Sequence, residues 1–185
     1  MKNYALILGI AAAAAGCNVD GTFTPPLADV EPDQVLLEIE YVNYAWGQVF
    51  FGYVIDGDGE VFKYDRKGAP WRPASKSSYT AAELADKFSL NRQLVTDRND
   101  GEAREAASRI HSLASVLSQP KSQCADAGVL TYRAYKYDPV VARYTPVLLR
   151  AEGDHAQVNT SAEAQQLIAY IRSLDLIDEL LGCDP

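Results

Sequence analysis

Residues 35–65 read VLLEIEYVNYAWGQVFFGYVIDGDGEVFKYD, and the fold of the chain is decided there. Leu37, Ile39 and Tyr41 alternate with Glu38 and Glu40, the period of two in which a strand turns one face to a core and the other to water. FFGYVI (50–55) and EVFKYD (60–65) follow, joined by Asp56-Gly57-Asp58-Gly59, whose glycines accept the positive φ of a tight hairpin. A three-stranded meander is expected. Glu38 and Glu40 are read as its solvated face.

The same hairpin tests a calcium reading, because Asp56, Asp58 and Glu60 alternate as carboxylates do at the start of an EF-hand loop. Position six is Val61 where a sharp turn needs Gly, and position twelve is Lys67 where a bidentate Glu belongs. No metal site is expected. Eight aromatic residues, Tyr41, Tyr44, Trp46, Phe50, Phe51, Tyr53, Phe62 and Tyr64, crowd the meander. Most are read as the packed face and cross-strand pairs of the sheet. Tyr44 and Trp46, beside Gly47 at the first turn, are the candidates for exposure and for stacking on a sugar ring.

Beyond the meander the chain turns helical. Thr80-Ala-Ala-Glu83 and Asn99-Asp-Gly-Glu102 each place a capping residue three before a Glu, the signature of a helix start. The first helix is expected to run to about Ser89 and the second to about Ser118, with Ala106, Ile110, Leu113 and Leu117 as its apolar stripe. Glu105 can pair with Arg109 one turn on, and His111 flanks the stripe. Then VLTYRAYKYD (129–138) and TPVLLRAE (145–152) read as a second hairpin. Thr160-Ser-Ala-Glu163 opens a last helix whose inward residues are Ala164, Leu167, Ile168, Ile171 and Leu174, with Gly182 as its C-cap. The class is α+β: an antiparallel meander and a second hairpin packed with about three helices, which are expected on one face of the sheet.

Ahead of the domain, Lys2 precedes an apolar stretch from Tyr4 to Ala15, the n-region and h-region of an export signal. It is shorter than the roughly 20 residues of a transmembrane helix. The residues that follow, Ala14-Ala15-Gly16-Cys17, resemble the lipobox of bacterial lipoproteins, with Ala at the position where that family favours Leu. The resemblance covers the first seventeen residues. It implies removal of residues 1–16, a diacylglyceryl group on the Cys17 sulfur, and acyl chains enough for lasting membrane attachment. Asn18, where the family's inner-membrane proteins carry Asp, implies the outer membrane of a diderm host. The alternative is an ordinary secretory signal cut within the alanine run, which would leave Cys17 as a thiol. Residues 17–34, with three prolines and no apolar period, read as the lipidated cysteine and an extended tether. Residues 35–185 form one domain.

With Cys17 assigned to lipid by that resemblance, Cys124 and Cys183 remain as an even pair in a compartment where disulfides persist. A bridge between them would close a loop of about 60 residues, worth roughly 4 kcal/mol in the chain-entropy model. A metal or catalytic thiol is the weaker reading, since no Cys or His stands at ligand spacing. Without Lys2, 25 acidic side chains face 16 basic ones. That balance excludes nucleic acid as a partner and disfavours anionic headgroups, while a basic protein is compatible with it.

No cofactor motif is present: neither a phosphate-cradling glycine loop, nor His-Glu-x-x-His, nor a Gly-x-Ser-x-Gly elbow. Asp154 and His155, in a loop expected between strand and helix, are the remaining polar candidates for binding. Two function classes follow from these residues. The favoured one is a noncatalytic, lipid-anchored binding or interaction module of the cell envelope, with an envelope protein or glycan as partner. The other is a surface-tethered hydrolase of an envelope polymer, using the carboxylates of Glu38 and Glu40, or Asp154 and His155.

Overall fold

The computed structural model describes residues 35–45, 47–66, 76–97 and 101–176. Cys17, the tether, Trp46, Asn99, Gly182 and Cys183 lie outside them. In chain order the elements are β1 (Val35–Asn43), β2 (Val49–Asp56), β3 (Glu60–Asp65), α1 (Ala81–Lys87), β4 (Gln93–Asp97), α2 (Gly101–Ser112), β5 (Lys121–Ser122), β6 (Val129–Asp138), β7 (Arg143–Gly153), β8 (His155–Val158) and α3 (Ala162–Ser173). The eight strands form one sheet in the order β4-β3-β2-β1-β6-β7-β8-β5, antiparallel at every pairing. The α+β class and the meander of residues 35–65 are as the alternation implies.

Each face of the sheet carries its own core. Leu37, Ile39, Ile55, Leu130, Tyr132, Ala134 and Leu149 pack against Ala106, Ala107 and Ile110 of α2 and Ala164, Leu167, Ile168 and Ile171 of α3. On the other face Val42, Phe50, Val54, Tyr64 and Tyr135 meet Leu84 and Phe88 at the end of α1. The three helices are therefore divided between two faces, against the expectation of one. Adjacent strand residues point to opposite sides, so Ile39 joins the α2–α3 core while Glu38 receives Lys87 of α1.

That division corrects the reading of Glu38 and Glu40. Neither is wet: Glu38 is 0% exposed and Glu40 2%. A period of two reports that one face differs from the other, and here the polar face is covered by a helix that supplies charges of its own.

The middle of the chain departs from expectation too. Thr80 caps α1 through a full capping box with Glu83, as its spacing implies, and Glu105 pairs with Arg109. But α2 stops at Ser112, and Leu117, expected in the stripe, is 42% exposed. The reason is a competitor for the backbone. Asn159 accepts from Val116 N–H at 3.2 Å and donates to Ala114 C=O at 2.8 Å, while Thr160 N–H and Ser118 N–H bond to Val116 C=O and Val158 C=O. Residues 114–118 are thereby held in extended form beside β8. Thr160 spends its hydroxyl on Val116 C=O, so the cap of α3 moves one residue on to Ser161, which accepts from Ala164 N–H. The inward residues of α3 are those expected. Strands β4, β5 and β8 were not legible as strands, being short and, in β4, uniformly exposed from Gln93 to Val95.

Candidate functional site

Three connections converge at one end of the sheet: the β1–β2 turn, the loop into β6 and the β7–β8 turn. Their register is fixed by Val42↔Val129 and Val129↔Gly153. Two glycines let the backbones close in. A Cβ on Gly128 (φ +75°) would lie 2.5 Å from Val42 O, and one on Gly153 (φ +114°) would lie 2.1 Å from Gly128 O. Only a residue without a side chain, tolerant of positive φ, fits either position.

Polar side chains brace the three connections. Tyr41 Oη donates to Ala127 C=O at 3.0 Å, and Asn43 Nδ2 donates to Asp126 C=O at 3.1 Å and to Tyr41 Oη at 3.2 Å. Asn43 Oδ1 accepts from Ala45 N–H, and Asp154 Oδ1 accepts from Ala127 N–H, both at 2.8 Å. Asp154 N–H closes the ring on Gly128 C=O at 2.8 Å. These contacts tie the end of β1, the loop into β6 and the β7–β8 turn to one another.

Behind the rim lies a cavity of about 630 Å³, within the range of small-molecule sites. Tyr44, Asp126, Asp154 and His155 line its mouth, and Thr131, Arg133, Leu148 and Gln157 line its interior. Tyr44, Asp154 and His155 are brought together, although more than a hundred residues separate the first from the other two. Tyr44 is 56% exposed and His155 is exposed. Asp154-His155 is a tight turn between two strands, a correction to the strand-to-helix loop expected for it. Cys124 stands half-buried in the loop that leads to this rim.

Arg133 connects the cavity to a buried cluster under α1. Its Nη1 donates to Glu40 Oε1 at 3.0 Å and to Glu38 Oε2 at 3.2 Å. Glu38 also accepts from Lys87 Nζ at 2.6 Å, Tyr64 Oη at 2.8 Å and Tyr135 Oη at 2.7 Å. Burial works against the Glu38 charge, but Lys87 and Arg133 outweigh it and hold the carboxyl down at about 2. Burial, and then Glu38 itself, push both tyrosine hydroxyls well above their usual range. Burial opposes the Arg133 charge as well, and Glu38 and Glu40 more than restore it. Two carboxylates are thus matched by two cations.

Arg133, Thr131 and Gln157 join the lining without belonging to any motif. A signal existed in β6, where Thr131, Arg133 and Tyr135 share the face opposite the apolar Leu130, Tyr132 and Ala134, but it does not distinguish a site from a wet strand face.

This geometry limits the chemistry. A general acid must hold a proton near neutral pH, and Glu38, sealed and held ionised by two cations, is set against that role. Glu40 is equally enclosed. Among the described residues no three His, Cys, Asp or Glu side chains gather as metal ligands, and no helix is long and apolar enough to cross a membrane. No protein-family model, curated protein or solved structure matches the chain.

Proposed function

We propose that this protein is a lipid-anchored module of the bacterial envelope that binds another envelope component, noncatalytically, at the cavity end of its sheet. One observation carries the reading: the braced rim of Tyr44, Asp126, Asp154 and His155 encloses a cavity at the end of β1 opposite to the one where the tether arrives. Eight residue steps separate Val35 from Asn43, about 26 Å at strand rise. A chain held through Cys17 and residues 18–34 would then present the cavity away from its own anchor. The enclosure of Glu38 and Glu40 weighs against the hydrolase built on them. The expected Cys124–Cys183 bridge is part of the proposal, since it would tie the loop before β6 to the chain's end.

The test places a photo-crosslinking amino acid at Tyr44 or at Val140 in the full-length chain in cells. Val140 is 91% exposed in the β6–β7 turn at the tether end. Tyr44 is expected to crosslink to one discrete envelope protein or glycan and Val140 not to. Cys17→Ser is expected to leave the membrane fraction and lose the adduct. Equal adducts from both positions, none from Tyr44, or a Cys17→Ser protein that stays with the membrane would overturn the reading.

A further inference from the structure

The guanidinium of Arg133 is only half used. Both of its hydrogen bonds come from Nη1, and Nε and Nη2 have no hydrogen-bond partner among the described residues. The side chain is 18% exposed and lines the cavity. Neither nitrogen is among the buried polar atoms left without a partner, so both reach solvent through the cavity, where an oxygen acceptor can take up their N–H groups.

The charge of that acceptor follows from the surroundings. Arg133 is already neutralised by Glu38 and Glu40, with Lys87 shared between them at 2.6 Å and 4.0 Å. An anion would therefore meet little net positive charge inside, and would pass Asp126 and Asp154 on its way in. A cation would suit those two carboxylates but would present no acceptor to the guanidinium edge. A hydroxyl satisfies both ends, accepting from Arg133 and donating to the rim. Beside these groups Val42, Leu148, Ala151 and the exposed Tyr44 ring supply an apolar strip, the counterpart of the C–H face of a pyranose.

We infer that the cavity binds an uncharged saccharide, with an oxygen of one sugar accepting from the open edge of Arg133 and a ring face resting on Tyr44. This rests on the binding-module reading and names the class of its ligand. Thr131, on the same strand face two residues before Arg133, adds a hydroxyl to the interior. Gln157 is committed elsewhere, since its amide donates to Ser118 C=O at 3.0 Å.

The experiment uses the full-length lipidated protein in a detergent without a sugar headgroup, titrated with chitotriose and with maltotriose, while NMR follows the Arg133 Nε–H signal. Sodium phosphate and spermidine serve as the charged comparisons. One of the trisaccharides is expected to shift that signal saturably, and neither charged probe to do so. Tyr44→Ala, which alters an exposed ring, is expected to weaken binding about tenfold without changing the melting temperature, the size of one lost stacking contact. Arg133→Lys, which keeps the charge but loses the open fork, is expected to abolish saturable binding even where the protein remains folded. The proposal is overturned if neither trisaccharide moves the signal, or if phosphate or spermidine moves it at lower concentration. Should Tyr44 still crosslink to an envelope partner while no saccharide binds, the saccharide inference falls and the module reading stands. Should a saccharide bind while Cys17→Ser remains on the membrane, the anchor falls and the saccharide site stands.

Discussion

Lys87 Nζ lies 2.6 Å from Glu38 Oε1, with the two side chains 8% and 0% exposed, so the last residue of α1 is joined to the sheet by a buried ion pair. The ammonium also donates to Tyr135 Oη at 2.9 Å and lies 5.0 Å from the Phe88 ring centroid. Helix α1 is only seven residues long, too short to be stable by itself, and this contact holds it to the sheet together with the packing of Leu84 and Phe88. Lys87→Met would leave Glu38 charged, buried and paired with Arg133 alone. A loss of about 3 kcal/mol is expected in urea unfolding. Combining it with Glu38→Gln is expected to cost well under the sum of the two single changes, which a double-mutant cycle measures directly.

Tyr64 reaches Glu38 because Gly52 stands between them without a side chain. A Cβ at Gly52 would lie 2.6 Å from Tyr64 Oη and 2.2 Å from Ile39 O. The first contact could be relieved by moving a ring, but the second is with backbone of the neighbouring strand. Gly52→Ala is therefore expected to destabilise by more than about 2 kcal/mol, and Tyr64→Phe on the same chain is expected not to restore it. Recovery in the double variant would show that the hydroxyl, not the strand spacing, sets the constraint.

What could be read in advance was what local period encodes. The meander, the Thr80 cap, the inward residues of α3 and strand β6 all appear in windows of ten residues. The partners of Glu38 do not, because Lys87 and Arg133 stand 49 and 95 positions away and the strand pattern is the same whether water or a helix covers that face. The end of α2 was hidden for the same reason, since Asn159 is more than forty residues from the backbone that it draws off. The rim residues were partly visible as an aromatic at a turn and an Asp-His pair. Their assembly into one mouth depends on the β1–β6–β7 register.

Asp56 and Glu38 give the stability opposite pH dependences. Burial raises the Asp56 carboxyl from 3.8 to about 6, despite the N–H groups of Glu60 and Asp58 bonded to it. A raised carboxyl binds its proton more tightly in the folded state, so its contribution is full below the unfolded value and fades as pH climbs through 6. Glu38 is depressed from 4.5 to about 2, so its contribution is present above 4.5 and is lost as pH falls toward 2. Asp56→Asn keeps an oxygen for both N–H groups and removes the titration. It is expected to raise the melting temperature at pH 7 and leave it unchanged near pH 3.5, so that the slope between pH 4 and 6 flattens. An equal rise at both pH values would mean that titration of Asp56 is not the cause.

Asn159 is 0% exposed and uses both ends of its amide. Oδ1 accepts from Val116 N–H at 3.2 Å and Ser161 N–H at 3.1 Å, and Nδ2 donates to Ala114 C=O at 2.8 Å and Leu148 C=O at 3.3 Å. One side chain thus fixes the exit from α2, the start of α3 and an edge of β7. Asn159→Ala would leave four backbone groups without these bonds, and a loss of about 3 kcal/mol is expected. Asn159→Asp keeps the acceptor but turns a carboxylate oxygen toward the carbonyls of Ala114 and Leu148. It is expected to be as damaging at pH 7 and less so at pH 4, where a protonated carboxyl can donate to one of them. Hydrogen exchange separates this account from simple loss of packing: the amides of Val116 and Ser118 are expected to lose protection before those of Leu167 and Ile168 in α3. Uniform loss across both segments would indicate that Asn159 stabilises the core as a whole and does not hold residues 114–118 in particular.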